Sequence, residues 1–226
     1  MTADIQRRVP ALAPAPMGRA SRWVLALLMP IGPAAVAVLR YVLPSYSEST
    51  STGMVAAAAA HPGAQNLVLW LGFLAILTLV PGVLAAAQLT RAAAPRLTGW
   101  AVALIVPAYL SMSGLLFGDQ LLWSGNEAGV APQTIAAVLD AAHPTVLISI
   151  GVFVVGHVVG TVLLGIAFLR TRRIPVWAAV ALIVSQPLHF VATVFLGSPT
   201  LDLIGWSATA VAMGLAARVL LRGNPA

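Results

Sequence analysis

A line of polar side chains interrupts two otherwise apolar stretches in the second half of the chain. Four of these residues recur at helical spacing, so they share one face of a predicted helix. They are Ser185, Gln186, His189 and Thr193. In the preceding apolar stretch, His157 and Thr161 are one helical turn apart. Polar side chains within a membrane are costly in contact with lipid, so we expect all six to face protein or a cavity.

The two histidines are placed to meet. His157 lies 15 residues before Arg172, in the tight turn that joins the two stretches, and His189 lies 17 residues after it. At ~1.5 Å per residue, both imidazoles would lie ~22–26 Å along their helices, at similar depth. Two antiparallel helices would then present both rings to one space.

Three interpretations of this set stay open. The leading prediction is a non-enzymatic site in which all six residues line an intramembrane pocket. That pocket would bind a small apolar or amphipathic ligand. Transport of this ligand is one function that such a pocket can serve. The first alternative is that they only hydrogen bond across helices and stabilise the bundle. The second is a b-type haem carrier with His157 and His189 as axial ligands, or an accessory subunit. Because no third ligand is evident at this depth, we predict no other metal site.

Three carboxylates suggest a different chemistry. Asp119, Asp202 and Glu48 fall near predicted helix ends on one side of the membrane, where a carboxyl group can act as a general acid. Membrane-embedded terpenoid cyclases protonate isoprenoids in this way, so an enzyme acting on an isoprenoid or lipid is an alternative. Only 7% of the residues are aromatic, which counts against such a pocket. The simpler interpretation is that Asp202 caps the last helix and the other two are solvated loop charges.

The polar residues belong to a chain with six apolar stretches, each long enough to cross a hydrocarbon core of roughly 30 Å. The sequence predicts spans at 22–43, 67–89, 99–117, 145–168, 175–196 and 201–221. It also predicts short helices in two loops, at 54–60 and 134–142. We therefore expect an all-α fold with a disordered cytoplasmic tail over 1–20 and a six-helix transmembrane domain over 21–222.

Charge is segregated between alternate loops. Eleven of the twelve arginines lie in the tail or at one set of span ends, whereas five of the six acidic residues lie at the other set. Arginine favours the cytoplasmic side, so we expect a multi-pass protein of a bacterial plasma membrane with both termini in the cytoplasm. Arg40 is the exception, and we expect it to extend towards solvent or to pair with Glu48 or Asp119. The six tryptophans, Trp206 among them, fall near predicted span ends and indicate interfacial belts.

Composition excludes several functions. The chain has no lysine, so it cannot form a Schiff base, and no cysteine, so disulfides and thiolate metal sites are excluded. Its net charge of +6 comes from arginines dispersed at helix ends, without a patch that could follow a phosphate backbone. The expected partners are therefore the lipid bilayer and a small ligand, with no nucleic acid.

Two short motifs occur twice. Ala-Ala-His-Pro stands at 59–62 and 141–144, each time before a span, and Ala-Val-Ala-Leu-Ile-Val stands at 101–106 and 179–184. Their matching positions predict that spans 2–3 and 4–5 are two parallel hairpin repeats, flanked by spans 1 and 6.

Several segments carry a resemblance to known sequences. They are Ala-Ala-His-Pro-Gly at 59–63, Ala-Pro-Arg-Leu at 94–97, Gly-Thr-Val-Leu-Leu-Gly-Ile-Ala-Phe-Leu-Arg at 160–170 and Ile-Pro-Val-Trp-Ala at 174–178. With them, the chain resembles uncharacterised six-helix integral membrane proteins common in high-GC Gram-positive bacteria. The resemblance covers about residues 22–222. It implies the six-helix fold and no activity.

Overall fold

A computed structural model describes residues 18–223 of the chain. Most of the predicted cytoplasmic tail, residues 1–17, lies outside the described residues. Eight α-helices follow one another: α1 Arg19–Val42, α2 Ser51–Ala60, α3 Pro62–Thr90, α4 Pro95–Glu127, α5 Pro132–Asp140, α6 Pro144–Thr171, α7 Val176–Val191 and α8 Pro199–Arg222. Six of these, with α7 continued to Leu196, are long and apolar enough to cross a membrane.

The six long helices form a closed ring. Each packs against its neighbours in sequence, and α1 closes the ring by packing against α8. Their mutual contacts enclose a continuous apolar core that includes Met29, Leu79, Ile105, Phe168 and Leu182. The predicted all-α, six-span membrane bundle is confirmed. The hairpins α3–α4 and α6–α7 are adjacent through α4 and α6, while their origin as repeats stays a prediction.

The bundle has two chemically different ends. Arg19, Arg91, Arg170 and Arg222 lie at helix termini of one end, which we call the arginine end. At the opposite, acidic end, α2 packs against α5 and the last turns of α4 around a small apolar cluster. Ser51 there donates a hydrogen bond to Asp140. The two short helices were predicted from the sequence at almost these bounds.

The third span is longer than predicted. We expected it to end at 117, but α4 continues to Glu127, so Asp119 lies inside the helix. The hydrocarbon thickness that sets the predicted length limits only the membrane-crossing part of a helix. Beyond it, Leu122 keeps α4 helical because its side chain is buried against α2 and α5. Pro30 and Pro33 lie within α1, which is one unbroken helix.

Close backbone approach explains the glycines of α6. A Cβ at Gly156 would lie 2.7 Å from the carbonyl oxygen of Leu104, and a Cβ at Gly160 would lie 3.1 Å from that of Ala101. Both glycines therefore form a packing face against α4, as their GxxxG spacing indicates. At the end of α6, Arg172 has a φ of 50° and makes the tight turn into α7.

One tryptophan departs from the predicted belts. Trp23, Trp70, Trp100 and Trp177 have exposed fractions between 50% and 67%, which suits side chains at the lipid interface. Trp206 is completely buried. The interfacial prediction for Trp206 is therefore wrong, because this face of α8 is turned towards the centre of the ring.

Candidate functional site

Asp202 lies in the first turn of α8 and is completely buried. It does not cap this helix as predicted, since Ser198 is the N-cap and its hydroxyl accepts the hydrogen bond from the Leu201 amide. One turn later, a Cβ at Gly205 would lie 2.8 Å from the carbonyl oxygen of Ser185. The absence of a side chain there lets α8 lie directly on α7, which brings Asp202 to His189.

Four side chains from different parts of the chain donate hydrogen bonds to Asp202. Arg40 Nε lies 2.8 Å from Oδ2, the Tyr46 hydroxyl 2.9 Å and the Thr193 hydroxyl 3.2 Å, while His189 Nδ1 lies 2.5 Å from Oδ1. We call these five residues the cavity cluster. Pairing and hydrogen bonds of this kind offset the energetic cost of burying a charged side chain. The cluster therefore ties the start of α8 to α1, α7 and the loop after α1.

Arg40 makes a pair that the sequence did not predict. We expected it to extend towards solvent or to pair with Glu48 or Asp119, but it bonds to Asp202 across the α1–α8 contact. Its Nη2 also donates to the Thr193 hydroxyl at 3.3 Å. The sequence-based expectation included Glu48 and Asp119 as partners of Arg40. It did not include Asp202, because the sequence does not show that the ring closes with the first and last spans side by side.

Two members of the cavity cluster, Thr193 and Tyr46, lie outside regular α-helix. After Val191 the helix widens into a π-helical turn, Ala192–Leu196, which carries Thr193 and ends at Gly197 with a φ of 56°. Such turns are frequent at functional sites. In the loop after α1, the Tyr46 ring stacks on the Arg40 guanidinium at 4.5 Å. Burial raises the pKa of Tyr46 above its ordinary value of 10.0, so its hydroxyl remains a donor at neutral pH.

The hydrogen bonds fix which nitrogen of each histidine is free. Asp202 accepts from Arg40 and Tyr46 and also from His189, so His189 Nδ1 carries a proton. His157 Nδ1 lies 2.5 Å from the backbone carbonyl oxygen of Phe153, which can only accept. The Nε2 atom of His157 is buried and has no partner among the described residues. In its neutral form, each of the two rings has an acceptor at Nε2.

The two imidazoles meet as their spacing predicts. Their ring centroids are 5.3 Å apart, and Trp206 stands 5.7 Å from His157 and 5.5 Å from His189. Phe153 stacks on the other side of His157 at 4.3 Å. Binding a haem iron between the histidines would require these packed rings to separate. Among residues 18–223 there is also no group of three or more metal-ligating side chains.

A cavity of about 200 Å³ lies inside the ring, in its acidic half. The polar residues that line the cavity are Arg40, Asp119, His189 and Thr193. Its apolar wall comes from α1, α4, α6 and α8 and includes Val36, Leu39, Met112, Leu116, Val154 and Trp206. Towards the arginine end, the next space in the core holds only about 10 Å³. Arg40, His189 and Thr193 of the cavity cluster therefore border a cavity of about 200 Å³, whereas the space deeper in the core holds about 10 Å³.

The predicted set of six polar residues is divided between two environments. His189 and Thr193 line the cavity. Ser185 and Gln186 instead form what we call the buried network with Thr209 of α8. In it, Gln186 Nε2 donates to Thr209, Thr209 to Ser185 and Ser185 to the Leu182 carbonyl oxygen, each at 2.8 Å. Thr161 hydrogen bonds with Tyr109 beside the 10 Å³ void.

The three candidate acids are also separated. Asp119 lines the cavity and accepts a hydrogen bond from Gln65 Nε2 at 3.2 Å. Asp202 is held as an acceptor by four donors, an arrangement that leaves it no proton to give. Glu48 is exposed in the loop after α1 and does not line the cavity. Of the three, only Asp119 faces the cavity as a carboxyl group without a paired cation among the described residues.

Sequence reasoning missed Arg40, Tyr46 and Trp206 as site residues. The signal for Arg40 was its position at the wrong end of a span, because a buried charge needs a partner. Trp206 lies four residues after Asp202, so helical spacing puts both on one face of α8. Tyr46 gave no comparable signal, because its position depends on how the loop folds back over α8.

No protein-family model, curated protein or solved structure matches this chain.

Proposed function

We propose that this chain is an integral membrane protein that binds a small amphipathic molecule in the cavity at its acidic end. The observation that carries the proposal is the junction of the 200 Å³ cavity with His189, whose side chain lines the cavity while its Nδ1 donates to Asp202. Ligand sites combine apolar walls with a few well-placed polar groups. An apolar cavity of 150 Å³ accommodates benzene, so this one suits a ligand of about ten non-hydrogen atoms.

The proposal moves the site from the middle of the bundle towards its acidic end. His189 and Thr193 remain in it, Arg40 and Asp119 join it, and His157 supports the His189 ring from behind. The segregation of arginines supports a bacterial plasma membrane as the location, with the arginine end in the cytoplasm. The ligand would then enter from the outer leaflet or the outer face. Transport would require a second conformation, since the core below the cavity is closed.

A general test is to identify what leaves the membrane with the protein. The chain is purified in mild detergent, its visible spectrum is recorded, and bound molecules are released and identified by mass spectrometry. We expect one small amphipathic molecule per chain, lost in His189→Leu and retained in the matched variant Ser185→Ala of the buried network. A protein that carries no molecule and binds no amphipathic probe would contradict the proposal, and a Soret band would establish the haem alternative.

A second candidate function is an enzyme that acts on an isoprenoid or lipid. The observation that favours it is the Asp202–His189 pair, in which a carboxylate orients an imidazole that lines the cavity, and Asp119 lines the same cavity. This is the usual environment of a histidine general base. If the identified ligand is turned over, Asp119→Asn and His189→Gln should each abolish turnover without loss of folded protein.

A further inference from the structure

The charges that line the cavity do not balance. Arg40 and Asp202 are bonded at 2.8 Å and neutralise each other. Asp119 adds a second carboxylate to the wall, and no salt bridge is formed by it among residues 18–223. His189 donates from Nδ1 to Asp202, which a neutral ring does without adding a charge. With Asp119 ionised and His189 neutral, the cavity has one unpaired negative charge.

The hydrogen-bonding positions left unused near Asp119 and His189 include acceptors and one donor, Trp206 Nε1, which is buried without a partner among the described residues. Gln65 Nε2 donates to both the backbone oxygen and Oδ1 of Asp119 at 3.2 Å, which fixes the orientation of the amide. Gln65 Oε1 is consequently turned away, and it is buried without a partner among the described residues. Gln65 does not line the cavity, so the acceptors on its wall are the Asp119 carboxylate and, in the neutral ring, His189 Nε2. A ligand that supplies N–H groups would donate to these two.

From this imbalance we propose that the ligand is a protonated amine with a compact hydrocarbon body. Asp119 supplies the counter-charge, His189 Nε2 supplies a further acceptor, and the apolar walls from α1, α4 and α6 hold the body. An unpaired carboxylate inside a membrane is costly, and a bound cation offsets that cost. Phe153 and Trp206 also line the cavity, and aromatic rings are compatible with a nearby cation. This inference rests on the proposed function and names its ligand class.

Other polar groups fit less well. A carboxylate or phosphate would meet Asp119, and the compensating charge of Arg40 is already engaged by Asp202. A neutral alcohol could donate to His189, but it would leave the Asp119 charge unpaired. The affinity of the cavity for ligands should therefore decrease in the order amine, alcohol and carboxylate.

Three probes of one chain length test this order: n-octylamine, n-octanol and octanoate. Equilibrium binding is measured at pH 7 with the full chain in nanodiscs, and uptake by empty nanodiscs is subtracted. We expect n-octylamine to bind at least tenfold more tightly than n-octanol and octanoate not to bind at the site. In Asp119→Asn, the affinity for the amine should fall to that for the alcohol. The alcohol should bind as before, which shows that the variant is folded.

The matched control is Asp140→Asn, which removes an exposed carboxylate at the same end of the bundle and should preserve the preference for the amine. Equal binding of amine and alcohol, preferred binding of octanoate, or an unchanged preference in Asp119→Asn would each overturn the inference. The proposed function would survive those results because a probe still binds. Binding of no probe above the empty nanodisc would contradict both.

Discussion

The buried network and the cavity cluster lie one to two helical turns apart on α7 and α8, yet they use their polar groups differently. In the buried network, the donors of Gln186, Thr209 and Ser185 form one chain that ends on a backbone carbonyl. In the cavity cluster, Arg40, His189 and Thr193 border a 200 Å³ space, and a neutral His189 ring leaves Nε2 as an unused acceptor. Polar residues in a membrane helix therefore suggest a binding site only where unused hydrogen-bonding groups meet open space.

The largest effect should come from the charge at the centre of the cavity cluster. Asp202→Asn leaves Arg40 partly buried without its counter-ion, and breaking a buried ion pair costs about 3–5 kcal/mol. We expect a loss of that order in the free energy of unfolding, measured by titration with a denaturing detergent in mixed micelles. Asp140→Asn, at an exposed site, should change the value little.

The double variant Arg40→Met with Asp202→Asn sharpens this test. It removes both charges, so it should recover much of the stability that the single variant loses. An Asp202→Asn protein as stable as the wild type would show that the cluster does not hold the helices together.

Next in size is a change that disturbs both regions at once. Gly205→Ala would place a methyl group 2.8 Å from the Ser185 carbonyl oxygen and 3.2 Å from the backbone nitrogen of His189. The helices must then separate, and overpacking of this kind costs about 1–3 kcal/mol. The matched control is Gly214→Ala on the same helix, whose nearest neighbour would be Pro30 at 3.9 Å. Equal unfolding free energies for the two variants would contradict the close α7–α8 contact.

A smaller effect should separate the two regions by function. Ser185→Ala removes two hydrogen bonds of the buried network, the one that Ser185 donates to Leu182 and the one that it accepts from Thr209. Interhelical side-chain hydrogen bonds in membrane proteins contribute about 0.6 kcal/mol and at most about 1.7 kcal/mol. We expect a stability loss in that range, with probe binding in nanodiscs unchanged. His189→Leu should weaken probe binding at least tenfold in the same assay. If Ser185→Ala lost binding as well, the division between network and cluster would be wrong.

The smallest effect should come from the loop that covers Arg40. Tyr46→Phe removes one of four donors to Asp202 at a partly exposed position, and we expect a loss of about 0.5–1.5 kcal/mol. The pKa of Tyr46 is raised, so its hydroxyl contributes fully below pH 10 and loses its contribution only as the pH rises through the folded-state pKa. The stability difference between wild type and variant should therefore stay constant from pH 7 to 9.5. A difference that vanishes within that range would contradict the hydrogen bond to Asp202.

The sequence predicts the fold well because hydropathy and helix ends are local properties. The six spans, the short helices at 54–60 and 134–142 and the turn at Arg172 all follow from residues close in sequence. The meeting of His157 and His189 also follows, since a tight turn makes their depths equal. The exception is the end of α4, which is determined by packing against α2 and α5 beyond the membrane.

The candidate site was predicted only in part, because its contacts join distant segments. Arg40 and Asp202 are separated by 162 positions, and only the closure of the ring between α1 and α8 brings them together. Helical periodicity placed Ser185, Gln186, His189 and Thr193 on one face, but it cannot show that the cavity reaches only the last two. Which polar donors are satisfied within the bundle depends on the neighbouring helix: Thr209 accepts from Gln186 Nε2, while Gln186 Oε1 is buried without a partner among the described residues.

The central claim is that the cavity, and not the polar residues alone, forms the ligand site, and filling the cavity tests it most directly. Val154→Phe places a larger side chain on the cavity wall without touching a polar group, whereas Val155→Phe makes the same change at an adjacent residue with an exposed fraction of 62%. Bound ligand per chain is measured by native mass spectrometry for both variants and the wild type. We expect Val154→Phe to lose the ligand and Val155→Phe to retain it. Full occupancy in Val154→Phe would contradict the account.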